Sequence, residues 1–346
     1  MLFPLLISLS HLSLMENNFS QTNNLSQTNN LPNMSNIPNS GMSLLFKNYV
    51  ETHNKIYSHS EYEYRYEIFT NNYNYIINKN NKINYTLGLN NFTDFSREEF
   101  KKYYLSGISS YSRDRLTNFL YHNTSNNTLP SSIDWRASGV VTNVKDQGQC
   151  GSCWAFSTTG TVEGQHALAY NNLVSLSEQN LVDCSTRNYG CGGGWPTIAM
   201  DYIRKNGVDT EISYSYIAND EACKFNKTNV GSYLNNIVRI PGGNMTSLYN
   251  AIGLVGPISI AIDAEDDFQF YKSGIYSSSL CSSDRYSLNH AVLAVGYSSF
   301  NNTNFIIVKN SWGSGWGMDG YIYMSTEIDN MCGMATNASY PIINRY

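Results

Sequence analysis

All seven cysteines of this chain lie between Cys150 and Cys332, and none precedes them. An odd count in such a set predicts three bridges and one thiol kept free for chemistry. Bridges need an oxidising compartment, so the chain is expected to enter the secretory route. Residues 1–15 are accordingly read as a signal peptide, because residues 2–14 form an apolar run too short to span a bilayer. No Lys or Arg precedes that run, and no small-residue cleavage site follows it: Lys47 is the first basic side chain and Ala137 the first alanine. The alternative is a disordered apolar N-terminus, and the cysteine pattern decides against it. No other stretch is apolar enough for a stable membrane anchor.

A length of 346 residues suits two or three compact units. The net charge of −5, with no basic stripe, excludes a dedicated nucleic-acid binder. Residues 16–40 repeat SQTNNL and are too polar to offset their ordering entropy, so this Asn-rich segment is expected to be disordered.

From Gly41 to Phe100 the pattern is helical. Phe46, Tyr49 and Val50 recur at helical spacing, and a second segment begins near Ser60. There Glu61, Arg65, Phe69, Asn72, Ile76 and Asn80 fall at intervals of three or four, on one face of a single helix. Gly88, Asn90, Phe92 and Asp94 follow as alternating turn formers around an aromatic anchor. Residues 106–128 lose periodicity and read as a linker open to proteolysis. Helices are predicted over residues 153–171, 177–182 and 195–205. Strands are predicted over 258–262, 291–295, 305–309 and 320–324. A helical half followed by a strand half predicts an α+β enzyme with a cleft between them.

The densest chemical signal is Gln147-Gly-Gln-Cys150-Gly-Ser-Cys153-Trp-Ala-Phe. Cys153 falls where a loop turns into a helix, where free backbone N–H groups and the helix dipole favour thiolate, the nucleophilic form. A base is still needed. Of the six histidines, four precede Pro130 and His166 lies inside a predicted helix. That leaves His290, which opens the predicted strand His290-Ala-Val-Leu-Ala-Val-Gly-Tyr. Asn310, in Asn310-Ser-Trp312-Gly, can accept from one imidazole nitrogen and fix the tautomer. Trp312 can shield that bond, or simply pack in the core. Gln147 can aim its amide at an oxyanion, beside the Cys153 N–H.

Three rival readings share these residues. Cys150-Gly-Ser-Cys153 alone fits a thioredoxin-type redox motif, but no short βαβ unit surrounds it. Cys150, Cys153, Cys184 and Cys191 are a conceivable zinc set, which the secretory context and His290/Asn310 oppose. An inactive binding protein descended from a protease would be expected to lose the nucleophile or the base, and both are present.

From about residue 44 to its C-terminus the chain resembles the papain/cathepsin L family of cysteine proteases. The resemblance rests on the Cys-Gly-Ser-Cys-Trp run, the distant His290 and Asn310, the Glu61–Asn80 helical face (the family's ERFNIN motif) and the Gly88–Asp94 string. It implies a papain-like two-domain fold, a helical left domain and a β-barrel-like right domain, preceded by a helical propeptide. It places an inhibitory propeptide at 41–128 and a mature peptidase at 129–346. It implies the bridges Cys150–Cys191, Cys184–Cys223 and Cys281–Cys332, among which spacing alone does not choose. No cofactor or metal is expected.

The resemblance further implies that Gly194 pairs its backbone with extended substrate and that Trp195, Pro196, Ala261, Leu288 and Asn337 line the pocket for the residue two before the cut. That residue should be bulky and apolar. Asn337 departs from the small apolar residue frequent in relatives and predicts tolerance of Tyr or Arg. Asn289 and Gly192 are lesser departures. No long insertion closes the cleft, so an endopeptidase is expected. The reaction is hydrolysis through a thioester on Cys153. A propeptide running backwards through the cleft is released when acid weakens contacts of Glu61 and Asp94. Partners are protein and peptide substrates, the chain's own propeptide and cystatin-type inhibitors, with the enzyme a monomer in the lysosome or extracellular space. Sequons at Asn84, Asn91, Asn226, Asn244 and Asn301 are candidate glycosylation sites.

Overall fold

The computed structural model describes residues 39–105, 108 and 116–344. The signal-peptide reading of residues 1–15 lies outside the described residues, as does the Asn-rich segment up to residue 38. The chain divides into two compact units, one ending at Ile56 and one beginning at Tyr57. In the first unit, helix α1 (Asn39–Thr52) starts within the last two residues of the segment read as disordered. Its buried Met42, Phe46 and Tyr49 follow helical spacing.

The second unit opens with helix α2 (His59–Asn80), whose N-cap Ser58 accepts from Glu61 N–H. The six-residue face reads out as a cradle. Phe69 and Ile76 are buried, and Arg65 donates to Glu99 (2.7 Å) and to the Asp94 carbonyl (3.0 Å). Asn72 Nδ2 donates to the carbonyls of Thr93 and Phe95, each at 2.9 Å, and Asn80 exchanges two bonds with the Leu87 backbone. The helix thus fixes the Gly88–Asp94 string through main-chain atoms. Helix α3 (Arg97–Tyr104) follows, held by a Ser96/Glu99 capping box.

The helical part after Pro130 is built on α4 (Cys153–Tyr170), α5 (Glu178–Cys184) and α6 (Pro196–Asn206). Ser177 caps α5 through Asn180 N–H, and Pro196 fits the first turn of α6, where its missing N–H has no cost. Helix α4 is buried through most of its length because small residues let the sheet approach closely. A Cβ on Gly160 would stand 2.8 Å from Leu293, and one on Gly164 would stand 2.7 Å from Pro257.

The spine of the main sheet is the long strand His290–Phe300. It pairs antiparallel with Ile258–Ile262 on one side and with Thr303–Lys309 on the other. Tyr321–Ser325 extends the sheet beyond Thr303–Lys309, and Asn337–Ile342 joins Ile258–Ile262 to Asn236–Arg239. The strand order runs between ends that do not pair with each other, so the expected barrel-like half is an open, twisted sheet, not a closed barrel.

Two expectations need correction. Helix α7 (Met245–Leu254) lies in a region read as strand-dominated, and its signal was the Asn244 cap accepting from Ser247 N–H at 2.9 Å. The stretch 116–122, read as open linker, is docked: Leu120 and Tyr121 pair in parallel with Val238 and Arg239. His122 is buried between Tyr340 Oη (3.0 Å) and Asn250 Oδ1 (3.1 Å).

Candidate active site

Cys153 is the first residue of α4, and Ser152 before it offers no side-chain cap, so the sulfur occupies the open helix end. The sulfur accepts from the N–H of Ala291 at 3.2 Å. Ala291 follows His290 on the sheet spine, so this bond joins the helical half to the strand half. His290 Nε2 meets Asn310 Oδ1 at 2.8 Å, and Asn310 Oδ1 also accepts from Ser311 N–H. With Nε2 so engaged, Nδ1 is the nitrogen left for chemistry, and it is buried with no hydrogen-bond partner.

Trp312 lies over the imidazole, ring centroids 4.7 Å apart and planes inclined by 29°. Both roles weighed for it hold together, because it is also core: its ring takes edge contacts from Phe268 and Trp316. Gln147 is fully buried and fixed from every side. Its amide donates to the Cys150 carbonyl (3.0 Å), its side-chain oxygen accepts from Ser311 (2.8 Å), and its carbonyl accepts from Tyr216 Oη (2.7 Å). One amide N–H remains for an oxyanion. Tyr216 and Ser311 were not found from sequence, since nothing local marks either.

In the covered precursor, burial works against the expected ion pair. Burial pushes the Cys153 thiol up to about 12, against the lowering by the N–H groups of Ala291 and Trp154. Burial pushes the His290 ring down to about 4, with Asn310 opposing. Burial thus disfavours the charged form of both groups. Part of that burial is a cover over the site.

That cover comes from residues before Pro130. Phe92, Phe100 and Tyr104 place their rings 6.0, 5.0 and 6.2 Å from Trp312, all edge-on. Asn90 Nδ2 donates to the Gln269 carbonyl (2.8 Å), and Gln269 Nε2 donates back to the Phe92 carbonyl (2.9 Å). Thr86–Leu87 pairs with Tyr271–Ser273 as a short antiparallel ribbon. Further on, Ile108 forms a parallel bridge with Gly194 and packs with Cys153, Trp195, Ile198, Ala261, Leu288 and Ala291.

Three of the five expected pocket residues, Trp195, Ala261 and Leu288, thus share one apolar cluster with Ile108. Pro196 begins α6 next to Trp195, and Asn337 stands opposite Ala261 in the sheet register. Ile198 and Ala291 were missed, although each lies one turn or one residue from a named position. Ile108 was missed too, its one signal being a lone apolar side chain in a Ser-Gly-Ile-Ser-Ser run.

The three disulfides are Cys150–Cys191, Cys184–Cys223 and Cys281–Cys332, and Cys153 is the free cysteine. Cys150 is bonded away from Cys153, which removes the redox motif. Three of the four cysteines of the conceivable zinc set are in bridges, which removes that site. His166 meets Ser232 Oγ at 3.0 Å, a packing role.

Comparison with known proteins agrees with this arrangement. Residues 129–342 match the papain family cysteine protease domain, and residues 46–100 match the cathepsin propeptide inhibitor domain (I29). The chain belongs to the papain family of cysteine proteases and carries the inhibitory propeptide domain of a zymogen. It is similar to a cathepsin L-like proteinase of Fasciola hepatica, 44% identical over 87% of this chain and 94% of the relative. Cysteine proteinase 5 of Dictyostelium discoideum is 43% identical over 86% of this chain and 92% of its own. Among solved structures, digestive procathepsin L 3 of Tenebrio molitor larval midgut superposes with a TM-score of 0.82 at 41% identity, over 87% of this chain and 99% of that one. A recombinant stem bromelain precursor superposes at 0.80 with 38% identity, over 88% and 99%.

Proposed function

We propose that this zymogen matures, by loss of residues up to about Leu129, into an endopeptidase whose nucleophile is Cys153. His290 is its acid–base partner, Asn310 orients the ring, and Gln147 with the Cys153 N–H binds the oxyanion. The observation that carries this reading is the 3.2 Å bond from Ala291 N–H to the Cys153 sulfur, which brings nucleophile and base together from opposite halves. Removal of the prosegment rehydrates the site, so that thiolate and imidazolium become the stable pair. The thiolate attacks the peptide carbonyl, and the imidazolium protonates the leaving amine. Water, activated by the neutral ring, then hydrolyses the thioester.

Occupancy of the Trp195/Ala261/Leu288 cluster by Ile108 supports an apolar side chain two residues before the cut, with Pro196 and Asn337 bordering the pocket and Gly194 pairing the substrate backbone. The parallel sense of the Ile108–Gly194 bridge supports a prosegment that runs backwards through the cleft. Exposed residues at 123, 124 and 126–128, between docked His122 and the peptidase, are the natural cutting stretch.

The proposed acid trigger differs from the sequence expectation. Glu61 pairs with Arg65, and Asp94 bonds Tyr57, all within the prosegment. The ion pairs across the boundary join prosegment cations to peptidase acids: Arg97 and Lys101 to Asp266, and Lys79 to Asp267 (3.4 Å). Loss of these cross-boundary ion pairs would loosen the cover, and acid is the proposed trigger.

The disulfides support a secretory route ending in the lysosome or outside the cell, with cystatin-type inhibitors as partners and the enzyme acting as a monomer. Among the described residues no helix is long and apolar enough to cross a membrane. An epoxide thiol inactivator added to acid-treated protein tests the reading. The adduct is expected on Cys153 by mass spectrometry, with peptidase activity lost in step. Full labelling without loss of activity would defeat it.

A further inference from the structure

The two groups assigned to the oxyanion stand at the two ends of one loop. Gln147 opens it and Cys153 closes it, and residues 147–152 between them form neither helix nor strand. Gln147 and Ser152, the residue before the nucleophile, are both fully buried. One hydroxyl reaches both ends. Tyr216 Oη donates to the Gln147 carbonyl (2.7 Å) and stands 2.6 Å from Ser152 Oγ. Its single proton goes to the carbonyl, so it accepts from the serine hydroxyl. Burial raises the phenol above its ordinary range, which keeps that proton in place.

Tyr216 is itself clamped from the far side. Its N–H donates to Glu211 Oε1 (2.9 Å), and the next N–H, of Ile217, donates to Gln179 Oε1 on α5 (3.0 Å). Its ring meets Phe156 of α4 edge-on, with centroids 4.8 Å apart. The hydroxyl is thus anchored on the helical half independently of the loop it holds. We propose that Tyr216 is a positioning residue for the proposed hydrolysis: its hydroxyl sets the separation of the Gln147 amide and the Cys153 N–H, the two donors that must converge on the oxyanion. The inference rests on the protease reading above. Such donors act where negative charge develops on the substrate oxygen, so their convergence matters at the tetrahedral stage. Steps on Cys153 that form no oxyanion should not depend on Tyr216.

The test compares two reactions of one thiol, in wild-type and Tyr216→Phe enzyme each matured from the full-length precursor. Hydrolysis of a peptide amide passes through an oxyanion. Alkylation by iodoacetamide does not, because the sulfur displaces iodide at a saturated carbon. Tyr216→Phe keeps the ring on Phe156 and should lower kcat/KM for the amide roughly tenfold to a hundredfold, leaving the rate of Cys153 alkylation unchanged. In a Gln147→Ala background the same substitution should cost much less, as expected of groups that act as one unit. Ser152→Ala removes the other partner of the hydroxyl and serves if Tyr216→Phe fails to fold or mature: slower hydrolysis with unchanged alkylation is again expected. Equal kcat/KM, alkylation falling in step with hydrolysis, or full additivity with Gln147→Ala would overturn the role of Tyr216 and leave the protease reading intact. A wild-type protein without Cys153-dependent peptidase activity would defeat that reading, and this role with it.

Discussion

Trp312 is stacked on His290 at 4.7 Å and receives, on its other contacts, the edges of Phe92 and Phe100 from the prosegment. One indole therefore serves the precursor as an anchor and the enzyme as a lid over the His290–Asn310 bond. Trp312→Ala opens that 2.8 Å bond to water and frees the ring to turn. A loss of roughly ten- to hundredfold in kcat, with KM little changed, is expected from steady-state kinetics of matured protein. A loss confined to KM would place Trp312 among substrate contacts instead.

The second prediction concerns Ile108, among the described residues before Pro130 the one grouped with Cys153 and the proposed pocket residues. Ile108→Ala removes buried contacts worth about 2 kcal/mol, so inhibition by the prosegment should weaken roughly thirtyfold. Titrating matured enzyme with wild-type and variant propeptides gives the ratio directly. Equal inhibition constants would show that the aromatic anchor alone carries the affinity.

On the proposed acid trigger, the ion pairs at the boundary set the pH of release. A carboxylate held by a cation contributes stability above its ordinary range, about 4, and loses it as pH falls. Removing one partner means less acid is needed. Arg97→Ala, which strips a partner from Asp266, should move the midpoint of precursor processing to higher pH on a gel series. Glu61→Gln should shift it less, because the Glu61–Arg65 pair lies inside the prosegment. The opposite order would refute the assignment.

Asn337 stands opposite Ala261, which lines the same cluster as Ile108. Its amide should let the pocket accept Tyr or Arg beside Phe and Leu. Kinetics on peptides differing only two residues before the cut check this, and Asn337→Ala should narrow the profile to aliphatic and Phe side chains. A wild-type profile restricted to Leu and Phe would count against it.

Much of this was legible in the chain because the signals are local or strictly spaced. The Glu61–Asn80 face survives as written, since intervals of three and four keep side chains on one side of any helix. Strand 258–262 was read to the residue, being an alternating Ile-Ser-Ile-Ala-Ile run bounded by Pro257 and Asp263. The strand at 290 was read too short: Gly296 looks like a breaker, yet it sits at the register shift between the Leu293 and Tyr297 pairings. What stayed hidden is non-local. No pattern near Ile108 says that it faces Gly194, and nothing near Gln147 announces Tyr216 as its partner. The burial of the Cys153 thiol in the precursor is non-local too. Helix geometry favours the anion, but burial under a remote segment outweighs it.

The proposed chemistry turns on the Cys153–His290 ion pair of the matured enzyme. The most direct measurement is the pH dependence of Cys153 alkylation in the intact precursor and in the acid-matured enzyme. The precursor thiol should react appreciably only in strong alkali, whereas the matured thiol should react down to about pH 4 and lose that acid reactivity in His290→Ala. A matured thiol titrating near 8.5, the ordinary value of about that size for free cysteine, and indifferent to His290, would contradict it.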